Sequence, residues 1–125
     1  MSNLDFAVQM QARTKTFAVQ VVKFFGKLPK SEEARVLGRQ LLRSGTSVAA
    51  NYRAACRAKS DADFISKIGT VVEETDETMF WLELLEESDV CASPAIGPIK
   101  TEADELLRIF STSLNTAKHK KVMNQ

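Results

Sequence analysis

The sequence predicts an all-α protein, an antiparallel up-and-down four-helix bundle, on three observations. Apolar residues recur at three- and four-residue steps along most of the chain. Proline, glycine and capping residues interrupt that pattern at three places. Alternating β-branched stretches are nearly absent, and the short connections favour antiparallel neighbours. A chain of 125 residues can bury one continuous core without disulfides or metal, so a single domain over residues 1–125 is expected.

The breaks fall at Gly26-Lys27-Leu28-Pro29-Lys30, at Ala58-Lys59-Ser60, and from Cys91 through Pro94 to Pro98. They predict helices over residues 3–27, 31–57, 61–89 and 101–120. In the first helix Phe6, Met10, Phe17, Val21, Phe24 and Leu28 lie on one face, with Thr14 interrupting the stripe. The second opens at Ser31 with Glu32 and Glu33 in its first turn, acids that suit a helix start although no capping box is present. Its core face holds Leu37, Leu41, Val48, Tyr52 and Ala55. Ser60 stands three residues before Asp63 and opens the third helix, whose stripe is Phe64, Ile68, Val71, Thr75, Met79, Leu82 and Leu85. Thr101 stands in the same relation to Asp104, which places the start of the fourth helix there, with Ala103, Leu106, Leu107, Phe110 and Leu114 facing inward. Helices this long wrap little core per unit length, so Phe25, Val22 and Trp81 are expected to face other subunits of a homo-oligomer.

Charge is distributed unevenly. The formal net charge is +1, yet residues 1–30 and 31–59 each carry +4 and residues 60–93 carry −9. On the second helix Arg35, Arg39, Arg43, Arg53 and Arg57 fall within an arc of about 80°, opposite the core face. No acid follows Glu32 on that helix, so pairing at i+4 cannot neutralise the arginines. Two uses remain open, beside a merely solvated face. The stripe can pair with Glu73, Glu74, Asp76, Glu77, Glu83, Glu86 and Glu87 of the third helix, within or between subunits. It can instead bind phosphate or acidic partners, because guanidinium groups grip such anions with two hydrogen bonds. The run Ser44-Gly45-Thr46-Ser47-Val48-Ala49-Ala50-Asn51 puts Gly45 in mid-helix at a propensity cost of about 1 kcal/mol, which close approach of a second helix would offset.

Catalytic machinery is not visible. The single histidine, His119, sits among lysines in the tail, Cys56 and Cys91 belong to no C-x-x-C pair, and the phosphate-loop pattern is absent. Clustered carboxylates on a bundle helix can hold two irons, but that chemistry uses Glu-x-x-His, which does not occur. No enzyme activity, cofactor or metal is expected. No apolar run reaches membrane-spanning length and no secretory signal opens the chain, so a cytoplasmic protein without membrane contact is expected.

The segments Leu28-Pro29-Lys30, Leu41 through Arg53, Asp63 through Ile68, and Glu77 through Leu85 together resemble a bacterial family of four-helix bundle proteins, those of intervening sequences in 23S rRNA genes. Arg43, Ser47 and Asn51 match its R-x-x-x-S-x-x-x-N spacing; with Gly45 and Trp81 they are expected to serve packing or assembly. The resemblance implies a ring-like homopentamer with no catalytic activity or cofactor. Related accessory proteins of diversity-generating retroelements are basic pentamers that engage a reverse transcriptase and nucleic acid. The acidic third helix departs from that character, so a nucleic acid or a reverse-transcriptase-like protein stands as the second expectation, behind a scaffold or adaptor.

Overall fold

A computed structural model describes residues 2–92 and 94–124. Four helices account for most of them: α1 (Asn3–Gly26), α2 (Glu32–Ala55), α3 (Asp61–Glu87) and α4 (Ile96–Met123). No strand occurs among the described residues. No helix is long and apolar enough to cross a membrane.

The first three helices begin alike. Ser2, Ser31 and Ser60 are N-caps, and each hydroxyl accepts the amide proton three residues on, from Asp5, Ala34 and Asp63, at 3.1 Å. Ser31 therefore caps as fully as the others despite lacking a capping box, since the amide and not the acid is what the hydroxyl satisfies. The fourth helix corrects the expected boundary. It starts at Ile96, five residues before Thr101, whose hydroxyl donates to the Gly97 carbonyl from inside the helix at 3.1 Å. Pro98 falls in the first turn, where a missing amide proton breaks no helical bond, so this proline starts a helix instead of excluding one. α4 is thereby the longest element at 28 residues. Past the end of α3 and its C-cap Ser88, Asp89 with a φ of 58° turns the chain away without a glycine.

Helix direction alternates. Val21 and Phe25 of α1 face Gly45 and Gly38 of α2 in reverse order, Ser44 of α2 meets Thr78 of α3, and Glu86 near the end of α3 meets Lys100 near the start of α4. Each helix packs mainly on its chain neighbour; α1 and α4, which close the bundle, touch far less than the other three adjacent pairs. The core runs the full length of the bundle. Phe17, Val21, Leu41, Val48, Ile68, Val71, Leu82, Leu85, Leu106 and Phe110 have no solvent exposure. Tyr52 leans on Phe110 with ring centroids 5.0 Å apart.

Three expectations about α1 change, the first being that Phe6, placed on the core face by its spacing, is 37% exposed near the helix start. Thr14 does not interrupt the core stripe: it is 1% exposed, and its hydroxyl donates to the Met10 carbonyl at 2.8 Å, so its methyl packs while its polar atom is satisfied within the helix. Phe25 is half-buried and packs over Gly38 of its own chain, which removes it from the outward surface; Val22 stays 49% exposed. Other buried hydroxyls follow the Thr14 pattern. Thr75 donates to Val71 and Thr78 to Glu74, and the Thr78 and Ser44 hydroxyl oxygens lie 3.0 Å apart across the α2–α3 seam.

Gly45 has the anticipated neighbour, though it is a side chain and not a backbone. A Cβ there would lie 2.9 Å from both Val21 methyl groups. Gly38, one heptad earlier on the same face, would meet Leu28 at 2.6 Å and Phe25 at 3.1 Å. The seam between α1 and α2 is therefore as close as it is because two positions of α2 carry no side chain.

Candidate functional site

α2 ends at Ala55, two residues short of the expected 57, so Arg57 lies in the turn beyond it; Arg57 and the four arginines of α2 are all exposed. Their partners divide them. Arg35 pairs with Glu32 on its own helix at 2.8 Å, an i,i+3 contact available from the single acidic end of α2. Arg43 reaches across to α3, where it pairs with Glu74 at 3.3 Å and with Glu77. The Trp81 indole donates to that same Glu77 at 3.1 Å. Arg43 and Trp81 thus belong to one intrachain network along the outer edge of the α2–α3 seam, and Trp81 is half-buried. Among the described residues Arg39, Arg53 and Arg57 have no carboxylate partner.

The remaining members of the matched motif do local work. Asn51 donates to the Ser47 carbonyl at 2.9 Å and to the Ser47 hydroxyl at 2.7 Å, both on α2. Arg43, Ser47 and Asn51 therefore do not converge on one site: the arginine faces α3 while the serine and asparagine bond to each other. Gly45 lies on the other side of the helix, against α1.

α3 carries the opposite charge. Glu74 and Glu77 are held by Arg43, Glu86 by Lys100 at 2.7 Å, and Asp63 by Lys67 at 2.5 Å. Hydrogen bonding from Lys67 holds the Asp63 carboxyl below its usual range, and Glu86 raises Lys100 above its own. Glu73, Asp76, Glu83 and Glu87 have no ion-pair partner among the described residues, and with Phe80 they occupy an outward arc of about 80°. Phe80 is 52% exposed and stands edge-on to Trp81, centroids 5.0 Å apart.

The outer face of α1 adds an apolar strip that the sequence reading passed over except at Val22. Leu4, Val8, Val19 and Val22 fall within an arc of about 60° opposite the buried face, and Val8 is 58% exposed. Polar residues at neighbouring positions masked this strip, because the stronger core period dominates the same helix.

A second feature had no sequence signal. Arg13 of α1 grips Glu102 of α4 with two hydrogen bonds, at 2.8 and 2.7 Å, and Glu105 with another at 2.8 Å, across 89 and 92 residues of chain. It bridges the helix pair that packs most loosely. The guanidinium holds the Glu102 carboxyl below its usual value of 4.5, by hydrogen bonding first and charge second, against burial. A depressed carboxylate stabilises the fold fully above its unfolded pKa and loses that contribution as pH falls through the folded value. Glu102→Gln is expected to cost about 1 kcal/mol at neutral pH and nothing in acid. Urea melts of both proteins, compared at neutral pH and well below pH 4.5, should converge at the acidic end.

Cys56 and Cys91 are free thiols, half-buried and buried. Burial pushes the Cys56 thiol up, against hydrogen bonds with Tyr52 and Gln11, and burial raises the Tyr52 hydroxyl as well. Both groups are protonated at neutral pH and poorly suited to attack. Among the described residues no three His, Cys, Asp or Glu side chains converge as a metal would require.

Comparison with known proteins agrees with this architecture. The family described as 23S rRNA-intervening sequence protein matches residues 7–112. A crystal structure of a protein of unknown function from the S23 ribosomal protein family of Bacteroides thetaiotaomicron is similar to the chain, with 33% identity, a TM-score of 0.77, and coverage of 83% of this chain and 96% of that one. No curated protein matches.

Proposed function

The chain belongs to the 23S rRNA-intervening sequence protein family, and from the layout of its outer faces we propose that it is a homo-oligomeric scaffold that acts by assembly and binding, not by catalysis. The observation that carries this reading is that opposite charges left unpaired within the chain sit on different elements: Arg39 and Arg53 on α2 with Arg57 in the turn just past it, and Glu73, Asp76, Glu83 and Glu87 on α3. Each basic face then meets the acidic face of the next copy. Two different patches joined head to tail form a heterologous interface, which closes into a ring or runs on as a filament. A closed ring, five-membered as the family resemblance implies, leaves no patch unused. The apolar strip of α1 and the exposed Phe80 supply surface that such contacts can bury.

Arg39→Glu/Arg53→Glu/Arg57→Glu tests the contact without touching Arg43, whose loss would strand Glu74 and Glu77. Sedimentation velocity is expected to show wild type as one species above the 13.9 kDa monomer and the variant weakened in assembly by about 100-fold or more. Reversing Glu73, Asp76 and Glu87 to lysine in the same chain should restore assembly. Monomeric wild type at micromolar concentration overturns the reading.

The same three free arginines favour a second reading, in which α2 binds RNA or DNA phosphates and oligomer symmetry multiplies the surface. Anisotropy of a labelled structured RNA and a labelled duplex DNA separates the two. Binding that falls steeply with salt and vanishes in a still-assembled variant supports nucleic acid; no binding by wild type at low salt leaves the scaffold.

A further inference from the structure

Where α1 and α4 fail to close, the bundle opens into a groove of about 720 Å³ at the end where α4 begins. That volume lies within the range of small-molecule sites. Its base is made by the buried side chains of Phe24, Cys91 and Ile99, and the exposed Ala12 and Pro98 stand on its walls. Neither surface offers much to a polar solute.

The charged groups on the lining are Arg13, Lys23, Lys27 and Glu102. The two lysines are exposed and have no ion-pair partner among the described residues. Glu102, the one acid on the lining, is held by Arg13 through two hydrogen bonds, and Arg13 also pairs with Glu105 beside it, so these two acids offset all but one of the three cations and the two unpaired lysines carry the remaining positive charge. The positive end of the α4 dipole and the negative end of the α1 dipole meet here and offset each other, so the preference for an anionic head rests on the lysines. An apolar trough with cations at its rim selects a molecule with an apolar body and an anionic head.

We propose that this end of the α1–α4 seam binds an amphipathic anion, an alkyl chain bearing one phosphate or carboxylate, with the chain along Phe24 and Ile99 and the head against Lys23 and Lys27. The site shares none of the α2 or α3 residues invoked for assembly, so the two readings fail separately.

The test uses the full chain, with oligomeric state followed throughout, and isothermal titration with three probes below their micellar concentrations: dodecyl phosphate, dodecanoate and dodecyltrimethylammonium. Both anions are expected to bind at one site per chain and the cation at least about tenfold more weakly. Lys23→Glu/Lys27→Glu should weaken the anions by a similar factor and improve the cation. Thr16→Phe, an exposed wall position, should fill the trough and abolish binding of all three while leaving the helical circular dichroism and melting unchanged. Equal binding of cation and anions, binding indifferent to both variants, or no binding of either anion overturns the proposal. It is also overturned if the lysine variant changes the oligomeric state while wild type binds neither anion, because a neighbouring copy then covers the groove.

Discussion

Phe110→Ala is expected to lower the stability of the bundle by about 4 kcal/mol, the largest effect of any single truncation considered. Phe110 has no solvent exposure and sits on α4, whose inward face also carries Ala103 and Leu106. Removing the ring takes its area out of the core and leaves a void that long, mutually braced helices cannot collapse to fill. It also deprives Tyr52 of the ring it leans on, a contact worth about 1 kcal/mol beyond area alone. Denaturant melts followed by circular dichroism should show the lower midpoint. A double-mutant cycle with Tyr52→Phe, which keeps the ring pair and removes the hydroxyl, should show little coupling. A loss below about 1 kcal/mol for Phe110→Ala would mean that the core around it is not rigid.

Gly45→Ala is expected to destabilise by about 2 kcal/mol, although alanine improves helix propensity by about 1 kcal/mol. The added Cβ would lie 2.9 Å from both methyl groups of Val21. Valine is stiff about its one side-chain torsion, and Val21 has no exposed direction in which to retreat, so α1 and α2 must move apart. The sign of the result decides between propensity and packing: a stabilised variant would show that the seam yields freely. Val21→Ala relieves the clash, so the double variant should be more stable than the sum of the two single losses predicts.

That pair shows what the sequence makes legible. A glycine in mid-helix is locally unfavourable wherever the helix goes, so the need for a close neighbour at Gly45 can be read from α2 alone. Its recurrence seven residues earlier, at Gly38, carries the same signal. Helical periods and serine caps are equally local, and three of the four helices begin within a residue of where the sequence placed them. The fourth does not. Thr101 and Asp104 have the spacing of a cap, but that spacing also suits the interior of a helix, and Pro98 is harmless in a first turn.

The charged faces were legible only as far as one helix determines them. The helical period puts five arginines on one outward arc; the structure keeps four of them on α2 and leaves Arg57 exposed in the turn just past it. Arg35 pairs locally with Glu32, but which of the others reaches α3 depends on how the two helices are rotated against each other, set by Ser44 meeting Thr78 in the core and by the size of the side chains between them. No pattern within either helix contains this information. The Arg13 bridge to α4 is further still from local reasoning, because its partners lie at the opposite end of the chain.

The loose closure between α1 and α4 sets the order in which the molecule comes together. Contacts between successive helices close short loops, whereas joining α1 to α4 encloses nearly the whole chain, and the entropy lost rises with the logarithm of that length. The tightly joined α2–α3 hairpin is the natural nucleus, a topology of low contact order that suits rapid folding. The seam between α1 and α4 closes last, with the Arg13 bridge spanning it. Native-state opening then begins at that edge of the bundle, and amide protons of α1 and α4 exchange before those of α2 and α3.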